Sequence, residues 1–383
     1  MIRVKKFIKQ ILFRLMNIYL SIRKDDSNVH SADILLIRLD SLGDYILFRN
    51  FISELRNSSR FTNCKITLLG NINWKELAEN LDGKYIDKFI WIDVNNTLMN
   101  LKKRFVFLNE ISKQKFQYLI NPAISRSFYT DDSIAKVSNS NLKIGCTGDY
   151  ANSSVFQKKK SDDYYDELIK IDDIMKFEFY RNKEFFEKLL RKKIDIDKPF
   201  INISEKKIEE FSNKDYALIV PGAGNPKRQW NMENFGAVIK HLLNEYNMEI
   251  YITGTKLEKN LVDRLIEINK SDRVHSLVGN IDSMKLAQII KRAKIMVSNE
   301  TGPVHFAALL NIKTICISTG NTLYRFNPYP EEISSSIKYI YPEIIKENLN
   351  NQEKLKKFWM GSDLEIDLID RKEVIKEIDN ILS

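Results

Sequence analysis

Short apolar runs alternate along this chain with stretches whose apolar residues recur about every three to four positions. That is the pattern of strands and helices wound into a parallel α/β sheet. Asp33–Leu39 predicts a buried strand, Asp44 to about Arg56 an amphipathic helix, and Cys64–Leu69 a second strand. Trp74–Leu81 predicts a helix, and Lys88–Ile92 and Phe116–Ile120 further strands. From Asn152 to Lys214 the sequence is polar and rich in Lys and Asp. It holds helical patterns such as Lys183–Leu190 and no clear strand, which predicts helices and an interdomain connection. A second alternation then begins at strand Tyr216–Val220. It continues with helix Asn231–Glu245, strand Glu249–Thr253, helix Leu257–Ile268, strand Val274–Val278 and helix Ser283–Arg292. Strand Lys294–Ser298, helix Pro303–Leu310 and strand Lys313–Ser318 complete it, and a charged, helical tail ends in Arg371–Leu382.

Two alternations in 383 residues predict two α/β domains with a ligand cleft between them. The expected divisions are a basic amphipathic helix over 1–30, an N-terminal domain over 31–205 and a C-terminal domain over 206–345. Helices over 346–383 follow, with a return onto the N-terminal domain as one option. No solenoid-period repeat and no low-complexity tract interrupts this plan.

The first segment is distinct. Phe7, Ile8, Ile11, Leu12, Leu15, Met16, Tyr19 and Ile22 form a helical stripe, and Phe13, Ile18 and Leu20 widen it. Its longest uncharged run, Leu15 to Ile22, is far shorter than the roughly 20 residues that span a bilayer. No small-residue cleavage site follows, so a secretory signal is not expected. Such a helix suits the surface of an anionic membrane, and it equally suits packing on its own domain with a solvated charged face.

Composition adds less than it first promises. The formal charge is +9, from 60 Lys+Arg and 51 Asp+Glu. Seven of those cations (Arg3, Lys5, Lys6, Lys9, Arg14, Arg23, Lys24) fall before any acid, so the rest of the chain is nearly neutral. A nucleic-acid-coating surface is therefore disfavoured. Cys64, Cys146 and Cys316 are far apart and form no CxxC pair, which excludes a disulfide scaffold and a Cys-built zinc site and fits a reducing cytoplasm. Four scattered histidines leave little for a metal centre.

Three loops carry candidate chemistry. Gly43-Asp44 follows the first strand; the glycine permits close backbone approach, and Asp44 suits a general base towards a hydroxyl or, alternatively, an acid complementing the helix dipole. Pro221-Gly222-Ala223-Gly224-Asn225-Pro226-Lys227-Arg228 follows the first strand of the second domain. Small residues and two cations before a helix suit a diphosphate, although a plain glycine turn with solvated cations has the same spelling. It is neither a dinucleotide fingerprint nor a Walker A loop. Glu300-Thr301-Gly302-Pro303-Val304-His305 places Thr301 as an N-cap, Pro303 in the first turn, and free N–H groups around Gly302 for a phosphate. His305 alone suits a packed structural histidine, and Glu300 suits either a sugar contact or a cap.

Taken together and in this order, the loops resemble glycosyltransferase family 9, the ADP-heptose:lipopolysaccharide heptosyltransferases. The resemblance runs from about Ile34 to Ser318. It rests on Gly43-Asp44, Pro221-Gly222-Ala223 with Arg228-Gln229-Trp230, and Glu300-Thr301-Gly302 through His305-Phe306-Ala307-Ala308. Asn121-Pro122 through Ser127 and Lys143-Ile144-Gly145 are similar to the family's acceptor-side region. The resemblance implies a GT-B fold of two Rossmann-like domains, the first taking the acceptor and the second the nucleotide sugar. It implies an inverting transfer of heptose or a related sugar from an ADP-linked donor to a lipopolysaccharide core or other surface glycan, with no metal and no other cofactor. By position, Asp44 becomes the base and Arg228 the cation on the diphosphate. Gly43, Gly222, Ala223, Gly224, Lys227, Glu300, Thr301, Gly302, Pro303 and His305 surround the donor, and Glu258 contacts the nucleotide ribose. The expected setting is cytoplasmic, at the inner membrane face where glycolipid acceptors lie.

The sequence departs from the family at three places. Glu300 replaces an Asp, Gly224 replaces a hydroxyl residue, and Ser318-Thr319-Gly320-Asn321-Thr322 stands for a Phe-Gly-x-Thr segment, followed by an aromatic loop from Tyr324 to Tyr329. Asp195-Ile196-Asp197 spells a DxD metal motif but lies in a Lys-rich connector, so it is expected to be surface charge. The competing functions are a nucleotide-sugar 2-epimerase and a non-catalytic nucleotide-sugar-binding or membrane-tethered assembly protein.

Overall fold

The computed structural model describes residues 2–22, 33–173, 175–204, 215–279 and 281–383. Arg23 and Lys24 of the basic run lie outside the described residues, as does the connector from 205 to 214. The chain divides into two units, residues 1–174 with 179–196, and residues 175–178 with 197–383.

The first unit holds a six-stranded parallel sheet. Its strands are β1 (Asp33–Arg38), β2 (Lys65–Asn71), β3 (Lys88–Ile92), β4 (Lys115–Asn121), β5 (Asn139–Cys146) and β6 (Glu167–Ile169), in the order β3-β2-β1-β4-β5-β6. The second holds β7 (Tyr216–Val220), β8 (Glu249–Ile252), β9 (Val274–Ser276), β10 (Ile295–Asn299), β11 (Thr314–Ile317) and β12 (Ile337–Ile340), in the order β12-β11-β10-β7-β8-β9. Each sheet runs outward from its first strand and then reverses, which is the Rossmann order. The central strands are buried on both faces, which explains their unbroken apolar spelling: every residue of β7 and β10 is buried.

The pattern and the structure differ in several places, beginning with strand β5 and helices Leu101–Lys113 and Asp131–Val137, none of which was among the expected elements. The helix expected from Asp44 to Arg56 is two, Leu42–Phe48 and Asn50–Arg56, meeting at Arg49. The polar connector contains a three-residue edge strand, β6. Strand β12 was not expected; its Lys338 is exposed and only Ile340 is buried, so it lacks a core strand's apolar run. The C-terminal helix Arg371–Leu382 is built into the second unit, with Val374 and Ile378 in the core that also holds Ile239, Ile315 and Ile340.

The N-terminal helix Ile2–Ile22 packs on helices Leu101–Lys113 and Asp131–Val137. Phe13 and Leu20 are buried there, and Arg104 lies over the Phe13 ring at 4.2 Å. Packing on its own domain thus accounts for one face of the helix. No helix among the described residues is long and apolar enough to cross a membrane.

Candidate active site

The point where strand order reverses is where two neighbouring strands send their C-terminal loops apart, leaving a crevice. In the first sheet that point lies between β1 and β4. The turn after β1 leads into helix Leu42–Phe48, whose first turn carries Gly43 and Asp44, and the segment from the end of β4 at Asn121 runs through Ser127. In the second it lies between β7 and β10, whose loops carry Gly222 to Arg228 and Glu300 to Gly302. The topology therefore puts each sequence-predicted segment at its own sheet's switch point.

Asp44 is the third residue of helix Leu42–Phe48. It forms a capping box with Ser41, whose N–H donates to Asp44 Oδ2 at 3.2 Å. Gly43 is buried and Asp44 half-buried. The dipole-complementing role is thus real, and the carboxylate is held in a fixed direction at the end of β1. Side chains from distant segments brace this loop. The Asn71 amide donates to the Leu39 and Asp40 carbonyls at 3.1 and 3.3 Å, and Trp74 Nε1 donates to Asp40 O at 3.1 Å. Buried Arg38 pairs with Asp40 at 2.8 Å and reaches the Asp44 carbonyl at 3.2 Å. Beneath them Tyr45 stacks on Trp74 at 4.0 Å and donates to Asp82, which Arg49 grips through two bonds of 2.9 and 2.8 Å. Burial raises the Asp82 pKa while the Arg49 charge opposes that rise. Breaking such a buried pair costs about 3–5 kcal/mol, so the platform is rigid.

The loop after β4 is braced from within. Asn121 donates to Asp131 and to the Tyr165 hydroxyl at 3.0 and 2.8 Å, and Arg126 pairs with Asp132 at 3.2 Å and with Asp162. Burial, then the neighbouring Asp132 carboxylate, push the Asp131 pKa up.

In the second unit Asn299, fully buried at the end of β10, ties the two loops together. Its amide donates to Pro221 O at 2.6 Å, and its carbonyl accepts from Trp230 N–H at 3.2 Å. Gly222 lets the Glu258 carboxylate come close, since a Cβ there would lie 1.9 Å from Glu258 Oε1 and push that side chain aside. Glu258 thereby meets the Gly222 loop, while its Oε2 accepts from Thr255 N–H and Oγ1 at 2.7 and 3.0 Å. Ala223 is buried, Gly224 and Lys227 are exposed, and the Arg228 guanidinium lies 3.5 Å from where a Gly224 Cβ would stand. Asn225 starts the short 3₁₀ turn Pro226–Arg228 that presents both cations.

Across the crevice, extended Thr301 begins helix Gly302–Leu309, with Pro303 in its first turn. The amide of Gly302 has no acceptor within the helix, as for any first-turn N–H. Buried His305 places Nδ1 2.7 Å from the Tyr329 hydroxyl, and its ring meets Phe326. Burial lowers its pKa to about 4, so it is a neutral, packed imidazole. Glu300 accepts from the Ser318 hydroxyl, which itself accepts from Gly320 N–H at 2.9 Å. Burial raises the Glu300 pKa to about 7, while the Ser318 bond and the Arg228 charge pull it down. The raised value means that the folded chain binds this proton more tightly than the unfolded one. The stability it contributes is full below about 4.5 and is lost as pH rises through about 7. Glu300→Gln removes that dependence. Urea unfolding at pH 5 and 8 should show wild type losing about 1–3 kcal/mol relative to the variant; parallel profiles would place the carboxylate in solvent.

The chain matches the model of glycosyltransferase family 9 (heptosyltransferase) over residues 133–356, more than half its length. The chain belongs to glycosyltransferase family 9. Among relatives of this family member, lipooligosaccharide heptosyltransferase 2 of Campylobacter jejuni is 27% identical over 116 residues, covering 29% of this chain and 36% of that protein. The match thus spans little more than a third of that relative. Among solved structures, a family 9 glycosyltransferase from Veillonella parvula has TM-score 0.66 and 17% identity, covering 92% of this chain and 97% of that one. Escherichia coli heptosyltransferase WaaC, solved with ADP-2-deoxy-2-fluoro heptose, has TM-score 0.63 and 15% identity, covering 91% and 99%. At these identities the likeness establishes the α/β GT-B fold.

For this family 9 chain, sequence reasoning missed Arg38, Asn71, Trp74, Asn299 and Ser318, the side chains that hold the loops. Asp195 and Asp197 are exposed in an irregular segment, and no cluster of three or more metal-ligating side chains occurs among the described residues.

Proposed function

We propose that this chain is an inverting glycosyltransferase that moves heptose or a related sugar from a nucleotide-diphosphate donor, ADP-linked by preference, to a lipopolysaccharide core or another surface glycan. The observation that carries this reading is the second sheet's switch point, where the Arg228 guanidinium lies beside Gly224 and its charge reaches Glu300, the residue before the Thr301 cap of helix Gly302–Leu309. An anionic leaving group matches both the guanidinium and the helix N-terminus. In this reading the acceptor oxygen forms its bond to the anomeric carbon as the bond from that carbon to the diphosphate oxygen breaks. Asp44 takes the acceptor's proton, and the electron pair leaves with the diphosphate, whose charge Arg228 and the Gly302 amide stabilise. Glu258 takes the ribose, as the resemblance implies. The relatives in Campylobacter jejuni and Escherichia coli support heptose and ADP as the donor's parts.

The test is a panel of ADP-, GDP-, UDP- and dTDP-sugars, followed by calorimetry and by NMR of the product's anomeric configuration. ADP-heptose should bind and be consumed, with inversion, once a glycan acceptor is supplied. Binding without turnover of any donor on an acceptor panel would favour a non-catalytic sensor, and silence from every donor would remove the reading.

A further inference from the structure

The N-terminal helix has two apolar faces, and the first unit uses only one. At about 100° per residue, Phe13, Met16, Asn17 and Leu20 share a side, and these pack onto the unit. Asn17 fixes the rotation, because its amide donates to the Ser133 hydroxyl at 2.9 Å and its carbonyl accepts from Arg104 at 3.2 Å. The opposite side is therefore held outward.

That side carries Ile8, Ile11, Leu12, Leu15, Ile18 and Ile22, all exposed, with Leu15 at 57% and Ile22 at 76%. With exposed Phe7 at one edge they fill an arc of about 140° that contains no charge from Phe7 to Ile22. Tyr19, also exposed, meets Phe105 at 6.4 Å and carries the apolar surface onto the helix Leu101–Lys113, where Val106 is 49% exposed. Scattered exposed leucines need no explanation, but a contiguous patch of this extent marks an interaction surface.

The charges beside it select the partner. Met1 to Lys24 contains seven cations and no acid. Lys5 and Arg14 flank the arc and are exposed, and exposed Lys102 and Lys103 stand on the adjoining helix. A second copy seated face to face would set these cations against their own kind, with no acid on the helix to answer them. Anionic headgroups supply that counter-charge while the acyl boundary takes the apolar arc. We propose that this face seats the chain on an anionic lipid surface, the 21-residue helix lying in the plane of the interface. The proposal does not depend on which sugar the chain transfers.

The experiment uses the full chain and no sugar. It is sedimented with phosphatidylcholine vesicles containing about a third phosphatidylglycerol, and with phosphatidylcholine alone. Wild type should sediment with the anionic vesicles and bind neutral ones, or anionic ones in high salt, on the order of tenfold more weakly. The Ile11→Asp/Leu15→Asp/Ile18→Asp variant should lose sedimentation with its thermal unfolding unchanged. Because Cys64, Cys146 and Cys316 are buried, Leu15→Cys can also be labelled with a polarity-sensitive dye, whose emission should rise on anionic vesicles. Wild type that stays in the supernatant, a triple variant that still binds, or an unresponsive dye overturns the proposal. So does a lipid-free dimer that the triple variant converts to monomer, since the face would then belong to a second copy.

Discussion

Replacing Asp44 with Asn should slow sugar transfer by about 10²–10⁴-fold, the usual contribution of a positioned general base. Donor affinity should change little. Asn is the informative choice because Asp44 has two jobs. Its Oδ2 accepts the Ser41 N–H in the capping box, and an Asn carbonyl keeps that acceptor. Asp44→Ala removes the acceptor as well and should cost about 0.5–2 kcal/mol of stability on top of the rate. If Asp44 were only a cap, the Asn variant would turn over at nearly the wild-type rate. The measurement is kcat with saturating donor and acceptor, beside calorimetric donor binding and a denaturant midpoint for both variants. A normal rate in Asn with a lowered midpoint in Ala would reduce Asp44 to its structural role.

The same residue shows what the sequence makes legible. Gly43-Asp44, Pro221 to Arg228 and Glu300 to Gly302 stand out because each follows a buried strand and carries its backbone chemistry locally. The two Rossmann sheets were legible for the same reason, since β1, β7 and β10 are continuous apolar runs. Edge strands were not, nor was β5 with its half-exposed polar start: β12 has only Ile340 buried, and β6 is three residues long. The braces of the site were not legible either. Trp74 reaches Asp40 across 34 positions, and Asn299 reaches Pro221 across 78. Those contacts exist only once β1 lies beside β2 and β7 beside β10, so the strand order creates them and no local pattern announces them. The N-terminal helix is the intermediate case. Its sequence allowed either packing or a lipid surface, and the fold decides, burying Asn17 against Ser133 and Arg104 and leaving the other side outward.

Arg228→Ala is expected to have the second large effect, a loss of about 2–4 kcal/mol divided between donor binding and the transfer step. The guanidinium would meet the diphosphate in the ground state and hold more charge as the sugar leaves, so both KM and kcat should move. Arg228→Lys should recover part of the binding, since it restores the charge but not the planar fork. An unliganded readout separates this role from general electrostatics. Arg228 helps hold the Glu300 pKa down against burial, so in the Ala variant the pH at which Glu300 loses its proton should rise. Following the Glu300-dependent part of stability against pH in the Arg228→Ala background measures that shift without any donor present. A raised transition with weakened donor binding places one guanidinium between the carboxylate and the diphosphate. A raised transition with donor binding and rate unchanged would leave Arg228 as Glu300's counter-charge alone, and the diphosphate would have to be held by the Gly302 amide and Lys227.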